Sequence, residues 1–256
     1  MAYQSQIVLP RNSIIGYDSR TDTLKHKKDV YENMDTFIKE FERAVNSSKK
    51  FRHNYFDVLA LVATRNVQNP AKLSQLKEEL RSSNRNGPIV FSMIDNLVHD
   101  FSTRNLEVDP KNIKTELDYR AFTHDNSKIE NPDEKSFLDF MGPRDQTNPE
   151  YGTPYYYERS EQFRKLHYLN NPHHPEHFAN GIMGMSLIDF IEMLCDTNAA
   201  RIKYGNGNVA ENILDQAGKY QFTDNCLQMS ANTNKRLELI EPTTRIILPE
   251  EIRRGL

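Results

Sequence analysis

The chain has no long apolar run. Among its 256 residues the longest conspicuous one, Val58 to Ala63, has six, whereas a transmembrane helix needs about 20. No membrane span and no membrane partner are therefore expected. Met1 to Gln6 has neither a basic start nor an apolar stretch, so no signal peptide is expected. Cysteine is scarce: Cys195 and Cys226 are too few for a disulfide framework, and a reducing cytoplasmic setting is expected. A charge excess of one sign is also missing. The chain carries 33 Lys and Arg against 36 Asp and Glu, without the basic surplus of a dedicated duplex nucleic-acid binder. No G-x-x-x-x-G-K-[ST] loop and no G-x-G-x-x-G fingerprint occur; Gly205-Asn206-Gly207-Asn208 reads as a turn. Strand signals are few, and no repeat of fixed period is evident.

What is present points to helices. The 13 Phe and 12 Tyr can fill a core despite the polar composition. Residues 1–21 read as an irregular arm with short extended pieces at Ile7–Pro10 and Ile14–Gly16. Asp22 or Thr23 can cap a helix running to about Val45, with Val30, Met34, Phe37, Phe41 and Ala44 recurring every three or four positions. His26 lies four residues before Val30 on that inward stripe. In the block 47–110, Phe51–Thr64 reads as helical and Asn69-Pro70 as a break. Ala71–Arg81 reads as a short charged helix, and Ile89–Phe101 is ambiguous between helix and strand. The block is either extra scaffold or an inserted subdomain carrying contacts to a partner. Further helices are expected over about Lys111–Thr123, Glu158–Tyr168, Leu187–Ile202, Asn206–Ala217 and Asp224–Leu239. Pro132 closes a loop, and the Pro- and Tyr-rich stretch 142–157 is a loop or lid.

The chemistry concentrates in histidines and carboxylates. Five of the eight His lie at 124, 167, 173, 174 and 177, and imidazole with carboxylate is the donor set of divalent transition metals. His124 falls three residues after Ala121 and seven after Leu117, on the core side of its helix. An inward His is ordinarily a satisfied core residue, but Asp125 adjoins it, and a carboxylate near an apolar face needs a cation or donors. Asp189, Glu192 and Asp196 share one helix face. A solvated face, a bound metal or a cationic ligand each explains three acids there. His173-His174-Pro175-Glu176-His177 fits the H-x-x-E-H of zinc peptidases, though Pro172 and Pro175 oppose the unbroken helix that motif needs. It could instead supply ligands from a loop. Cys195, beside Ile191 and Ile188, reads as a buried structural thiol. Lys128, four residues after His124, could hold a phosphate as a point charge.

Taken together, His26, His124-Asp125 and Asp196 follow the order H…HD…D. In this the chain resembles the HD-domain metal-dependent phosphohydrolases, and more narrowly an uncharacterised HD-like family found in phages and bacteria. The resemblance is carried by Asp22–His26, Arg120–Lys128, Tyr151-Gly152-Thr153, His167-Tyr168 with Asn170, His173–His177, and Met185–Asp196. It covers residues 22–46 and about 117–235. It implies an all-α, HD-like helical bundle formed by 22–46 and 111–240, with 47–110 inserted and 241–256 as a tail. His26, His124, Asp125 and Asp196 would hold one divalent ion (Mn, Fe, Co, Zn or Mg). His-Asp-x-Ser-Lys is also similar to the cyclic-dinucleotide phosphodiesterase branch of the superfamily, which makes His167, His173 and His174 candidates for a second ion.

The activity implied is hydrolysis of a phosphoester, a nucleotide or related molecule, by metal-activated water. Asp125, Lys128 and Glu192 are then the catalytic candidates: Lys128 to neutralise phosphoryl charge, Glu192 to orient water or a ligand His. A different class is an HD-like phage accessory protein that binds a nucleotide or a host protein through 47–110 without catalysis. A third is a zinc peptidase working through His173, Glu176 and His177. A homo-oligomer is compatible with each.

Overall fold

A computed structural model describes residues 18–47, 53–82, 87–142, 148–204 and 208–247. The extended pieces expected at 7–10 and 14–16, and most of the turn at 205–208, lie outside these residues. The described residues are all-α: eleven α-helices and two 3₁₀ turns, with no strand. The helices are α1 (Ser19–Val45), α2 (Tyr55–Thr64), α3 (Pro70–Ser82), α4 (Pro88–Thr103), α5 (Pro110–Thr123), α6 (Ser127–Glu130), α7 (Pro132–Met141), α8 (Pro154–Asn170), α9 (Leu187–Tyr204), α10 (Val209–Tyr220) and α11 (Asp224–Arg236). The 3₁₀ turns are Pro175–His177 and Gly181–Gly184. None of these helices is long and apolar enough to cross a membrane.

Several boundaries differ from the sequence reading, and capping chemistry explains them. The irregular arm does not extend to residue 21. Asp18 accepts from the Arg20 N–H and starts α1 at Ser19, leaving Asp22 in the first turn. Proline starts helices here more often than it ends them. The Asn69 side chain accepts from the Ala71 and Lys72 N–H groups, and α3 begins at Pro70. Asn131 caps α7 ahead of Pro132, and Thr153 caps α8 ahead of Pro154. Proline fits the first helical position because its missing N–H would have no helical partner there. The loop expected over 142–157 therefore ends at Thr153, and Tyr155–Tyr157 form the first turn of α8. Residues 89–101, ambiguous in sequence, are helical.

Two helices form the centre: α2 is apolar nearly all round, and α9 is buried over most of its length although it carries three acids. Tyr55, Phe56, Val58, Leu59 and Val62 of α2 are buried, as are Leu187, Ile188, Phe190, Ile191 and Met193 of α9. The inward stripe of α1 (Val30, Met34, Phe37, Phe41) packs on both and on α5. The apolar residues of α2, α3 and α4 belong to this same core, so the 53–103 helices pack into the main bundle. A second, smaller cluster, formed by Phe137, Phe140, Met141, Tyr156 and Phe163, joins α7 to α8.

Phe190 is fully buried, with ring centroids 4.8 Å from Tyr55 and 5.6 Å from Phe222. Phe190→Ala should lower unfolding free energy by about 3–5 kcal/mol. Phe122, 73% exposed, should change stability by less than about 0.5 kcal/mol on the same replacement. Urea unfolding of both variants checks the assignment of the core.

Candidate metal centre

The site forms where α1, the α5–α6 turn, α8, the 171–178 loop and α9 meet. His124 ends α5 in an extended conformation, and Asp125 follows with φ of +55°. That left-handed conformation is costly for most side chains, though Asp tolerates it better than others. It turns the chain so that His124 and Asp125, adjacent in sequence, both point inward; their side chains are 0% and 1% exposed. Lys27 of α1 holds the turn from outside, donating to the Phe122 and His124 carbonyls and to the Asn126 side chain.

Asp125 stands at the centre with imidazoles on both sides. Its Oδ2 lies 3.9 Å from His26 Nε2 and 3.5 Å from His124 Nε2. Its Oδ1 lies 3.4 Å from His167 Nε2 and 3.7 Å from His173 Nε2. Asp196 Oδ1 sits 2.7 Å from His26 Nε2 and 3.7 Å from His124 Nε2. His174 Nε2 is 3.0 Å from His167 Nε2. Every residue expected to bind metal is thus in one cluster: His26, His124 and Asp196 form one close group, His167, His173 and His174 another, and Asp125 with His124 and His173 a third that joins the two. Lys128 pairs with Asp125 Oδ2, its side chain 20% exposed.

Behind the imidazoles lies a layer of carboxylates. Glu192 Oε1 is 2.8 Å from His124 Nδ1 and 3.2 Å from His173 Nδ1. Glu134 Oε2 is 3.0 Å from His167 Nδ1, and Glu134 also accepts from Ser127 and Asn170. An ionised carboxylate only accepts, so an Nδ1–H tautomer satisfies it and leaves the Nε2 atoms to face the centre; the Asn171 amide also lies 2.9 Å from His167 Nδ1. The α9 acids are therefore not a solvated face. Asp189 accepts from the Ser186 N–H and hydroxyl and pairs with Arg120, so it anchors the start of α9 rather than facing the cluster.

The electrostatics call for positive charge. Burial alone would raise Asp125, but Lys128 and the imidazoles of His124, His167 and His173 hold it well below the ordinary carboxylate range. Asp196 is held low against burial through His124 and His26. Burial opposes a charge on His124, yet Asp125, Asp196 and Glu192 raise it to about 10. Burial and the neighbouring His173 and His167 push His174 down to about 2, and burial with Lys128 lowers His167. Those two rings are neutral at neutral pH, the form that ligates.

The residues fit a divalent cation. His124 Nε2, His173 Nε2 and Asp125 Oδ1 are buried without a hydrogen-bond partner, and such atoms cost roughly 1–3 kcal/mol each unless something satisfies them. Ligand bonds of about 2.0–2.2 Å space donor atoms about 3–4 Å apart, the spacing found around Asp125.

The peptidase constellation is not assembled. Pro175–His177 is a 3₁₀ turn, not part of a continuous helix. Glu176 pairs with Lys219 at 2.8 Å, and the His177 ring bonds the Tyr168 carbonyl at 2.9 Å. Of that motif only His173 reaches Asp125. Cys195 is buried and burial pushes its thiol upward, as a structural thiol requires. Sequence reasoning missed Glu134, Arg120 and Lys27. Asn131-Pro132-Asp133-Glu134 carries a helix-start pattern that would have placed Glu134 on α7.

Residues 16–249 match the family profile described as "Family of unknown function (DUF5662)". The chain belongs to that family. No curated protein and no solved structure matches it. In this DUF5662 chain the loop carrying His173 and His174 is fastened at its far end. Ser92 and Asn96 of α4 donate to the Met183 and Met185 carbonyls, and Phe178 packs on Gly184. A Cβ at Gly184 would fall 2.5 Å from Phe178 Cβ. Gly184→Ala should therefore destabilise the protein by about 1–3 kcal/mol, read as a lower thermal midpoint, and should weaken divalent-cation binding by displacing the His173-His174 end of the loop.

Proposed function

We propose that this chain is a metal-dependent phosphohydrolase of the HD type, acting on a nucleotide or related phosphoester. The observation that carries the reading is the placement of Asp125, whose two oxygens face different, adjoining imidazoles with Lys128 alongside. His26, His124, Asp125 and Asp196 would hold one divalent cation. His167, His173, His174 and the other Asp125 oxygen would hold a second. Cations held there supply Lewis acidity and lower the pKa of water near neutrality.

The remaining work belongs to the chain. Asp125 ties the two donor sets together, and Glu192 and Glu134 fix the ring faces that point inward. The Lys128 ammonium, kept charged by Asp125 and Asp196 against its burial, lies where it can neutralise charge on a phosphoryl group. His26 and Asp196, with side chains 12% and 14% exposed, form the open edge through which a phosphate would enter. The interior imidazoles are closed off from solvent. Both cysteines are free and buried, consistent with a reducing cytoplasm as the working compartment.

Elemental analysis of the purified protein should find two divalent ions per chain and a loss of at least one in Asp125→Ala. A panel of nucleoside mono-, di- and triphosphates, cyclic dinucleotides and an aryl phosphate, assayed with Mn²⁺, Fe²⁺, Co²⁺, Zn²⁺ and Mg²⁺, should show turnover. Lys128→Ala should keep its metal and lose about 10²–10³-fold in kcat. Bound metal without turnover of any phosphoester would favour a nucleotide-binding protein. Absence of stoichiometric metal would end the proposal.

A further inference from the structure

Two carboxylates back the imidazole cluster, and they are not equivalent. Glu134 serves one ring, His167. Glu192 serves two, one from each donor set: its Oε1 bonds the Nδ1 of His124 at 2.8 Å and lies 3.2 Å from the Nδ1 of His173, an ion-pair contact. The two rings lie 4.4 Å apart, tilted by 40°. Arg120 holds the other end, with Nε 3.4 Å from Glu192 Oε2, and the same guanidinium pairs with Asp189 at the start of α9. Glu192 is 2% exposed and is held well below the ordinary carboxylate range: burial opposes its charge, and Arg120 and His173 outweigh burial.

From this arrangement we infer that Glu192 is a positioning residue common to both cation sites, so that the two are built, or lost, together. The inference rests on the two-cation reading above. A ring bonded through Nδ1–H keeps its Nε2 lone pair aimed inward, and the charge of the accepting carboxylate makes that nitrogen a better donor. One oxygen does this for His124, beside Asp125 Oδ2, and for His173, beside Asp125 Oδ1. The donor sets therefore share a carboxylate in front, Asp125, and another behind, Glu192. No other side chain among the described residues has an acid oxygen against the Nδ1 of rings from both sets. Glu192 touches neither the entry edge nor Lys128, so its role runs through the rings it orients.

Metal-binding isotherms of the apoprotein with Co²⁺, followed by visible absorbance and calorimetry, separate this from a structural role. The wild type should bind two ions. Glu192→Gln should weaken both, each by about 10–100-fold, while Glu134→Gln should weaken one by that factor and leave the other. In the Zn²⁺-loaded protein, two downfield ring N–H proton resonances should disappear together in Glu192→Gln, and a different single one in Glu134→Gln. Helical circular dichroism confirms folding. If Glu192→Gln does not fold, Glu192→Asp keeps the partner of Arg120 but shortens the reach, and should weaken both ions likewise. An ion left at wild-type affinity by the Glu192 variant, or the shift of one ring resonance alone, would overturn the inference while leaving the phosphohydrolase reading standing. An apoprotein that binds no divalent ion would overturn both.

Discussion

A carboxylate enclosed by imidazoles sets the terms for everything around it. Asp125 is 1% exposed and occupies a left-handed backbone conformation, so both its charge and its backbone are unfavourable unless the surroundings hold them. Burying an isolated carboxylate costs far more than any single packing contact returns. The fold answers with Lys128 on one oxygen and four imidazoles arranged about the two. Lys27 clips the turn itself to α1 through two carbonyls and one amide. The long apolar stripe of α1 is thus more than core: by packing on α5 and α9 it brings His26 and Lys27 to the one corner where each is needed.

Charge accounting at the centre leads in one direction. Asp125, Asp196, Glu192 and Glu134 are four acids within contact of the rings, while Arg120 and Lys128 are the permanent cations paired with them. Structural ion-pair networks normally close on themselves, with each acid facing a donor. This one instead leaves Asp125 Oδ1 and two Nε2 atoms buried without partners, all aimed at a common space. A proton on His124 can offset part of the surplus, but it cannot satisfy several converging lone pairs at once. A divalent cation can, and borderline first-row metals favour this mixture of nitrogen and oxygen donors.

Part of this was legible in the sequence because it is local. Apolar periodicity located α1, α5 and α9, and it put His26 and His124 on inward faces. Three acids spaced along α9 signalled an unusual helix face, although spacing alone could not tell solvent from a cation. What the sequence obscured was also physical. Proline was read as punctuation at Asn69-Pro70 and Pro132, whereas an Asn side chain ahead of each makes it a helix start. Missing α7 meant missing Glu134. The three α9 acids, which share one face on a helical wheel, take different roles in three dimensions: Asp189 caps its own helix, Glu192 backs two rings, and Asp196 meets His26. The Ser186-x-x-Asp189 spacing is that of a capping box, but no spacing rule tells Glu192 from Asp196, because their partners come from α1, α5 and the 171–178 loop.

The division of the core bears on how the centre is assembled. His124, Asp196 and His26 ride on helices of the main hydrophobic cluster, whereas His167 rides on α8, whose apolar residues belong to the smaller cluster with α7. Those two bodies of packing meet largely through polar contacts: Ser19 to Asp139, Ser127 to Glu134, and His167 to Asp125. Hydrogen bonds of this kind contribute only about 1 kcal/mol net each, far less than the burial that holds α1, α2 and α9 together. A cation bonded from both sides of Asp125 would therefore do structural work at the seam with the least apolar packing. The geometry of the imidazole cluster and the attachment of α7–α8 would then depend on the same ligand bonds. That explains why so polar a seam lies beside the imidazole cluster and not at the molecule's periphery.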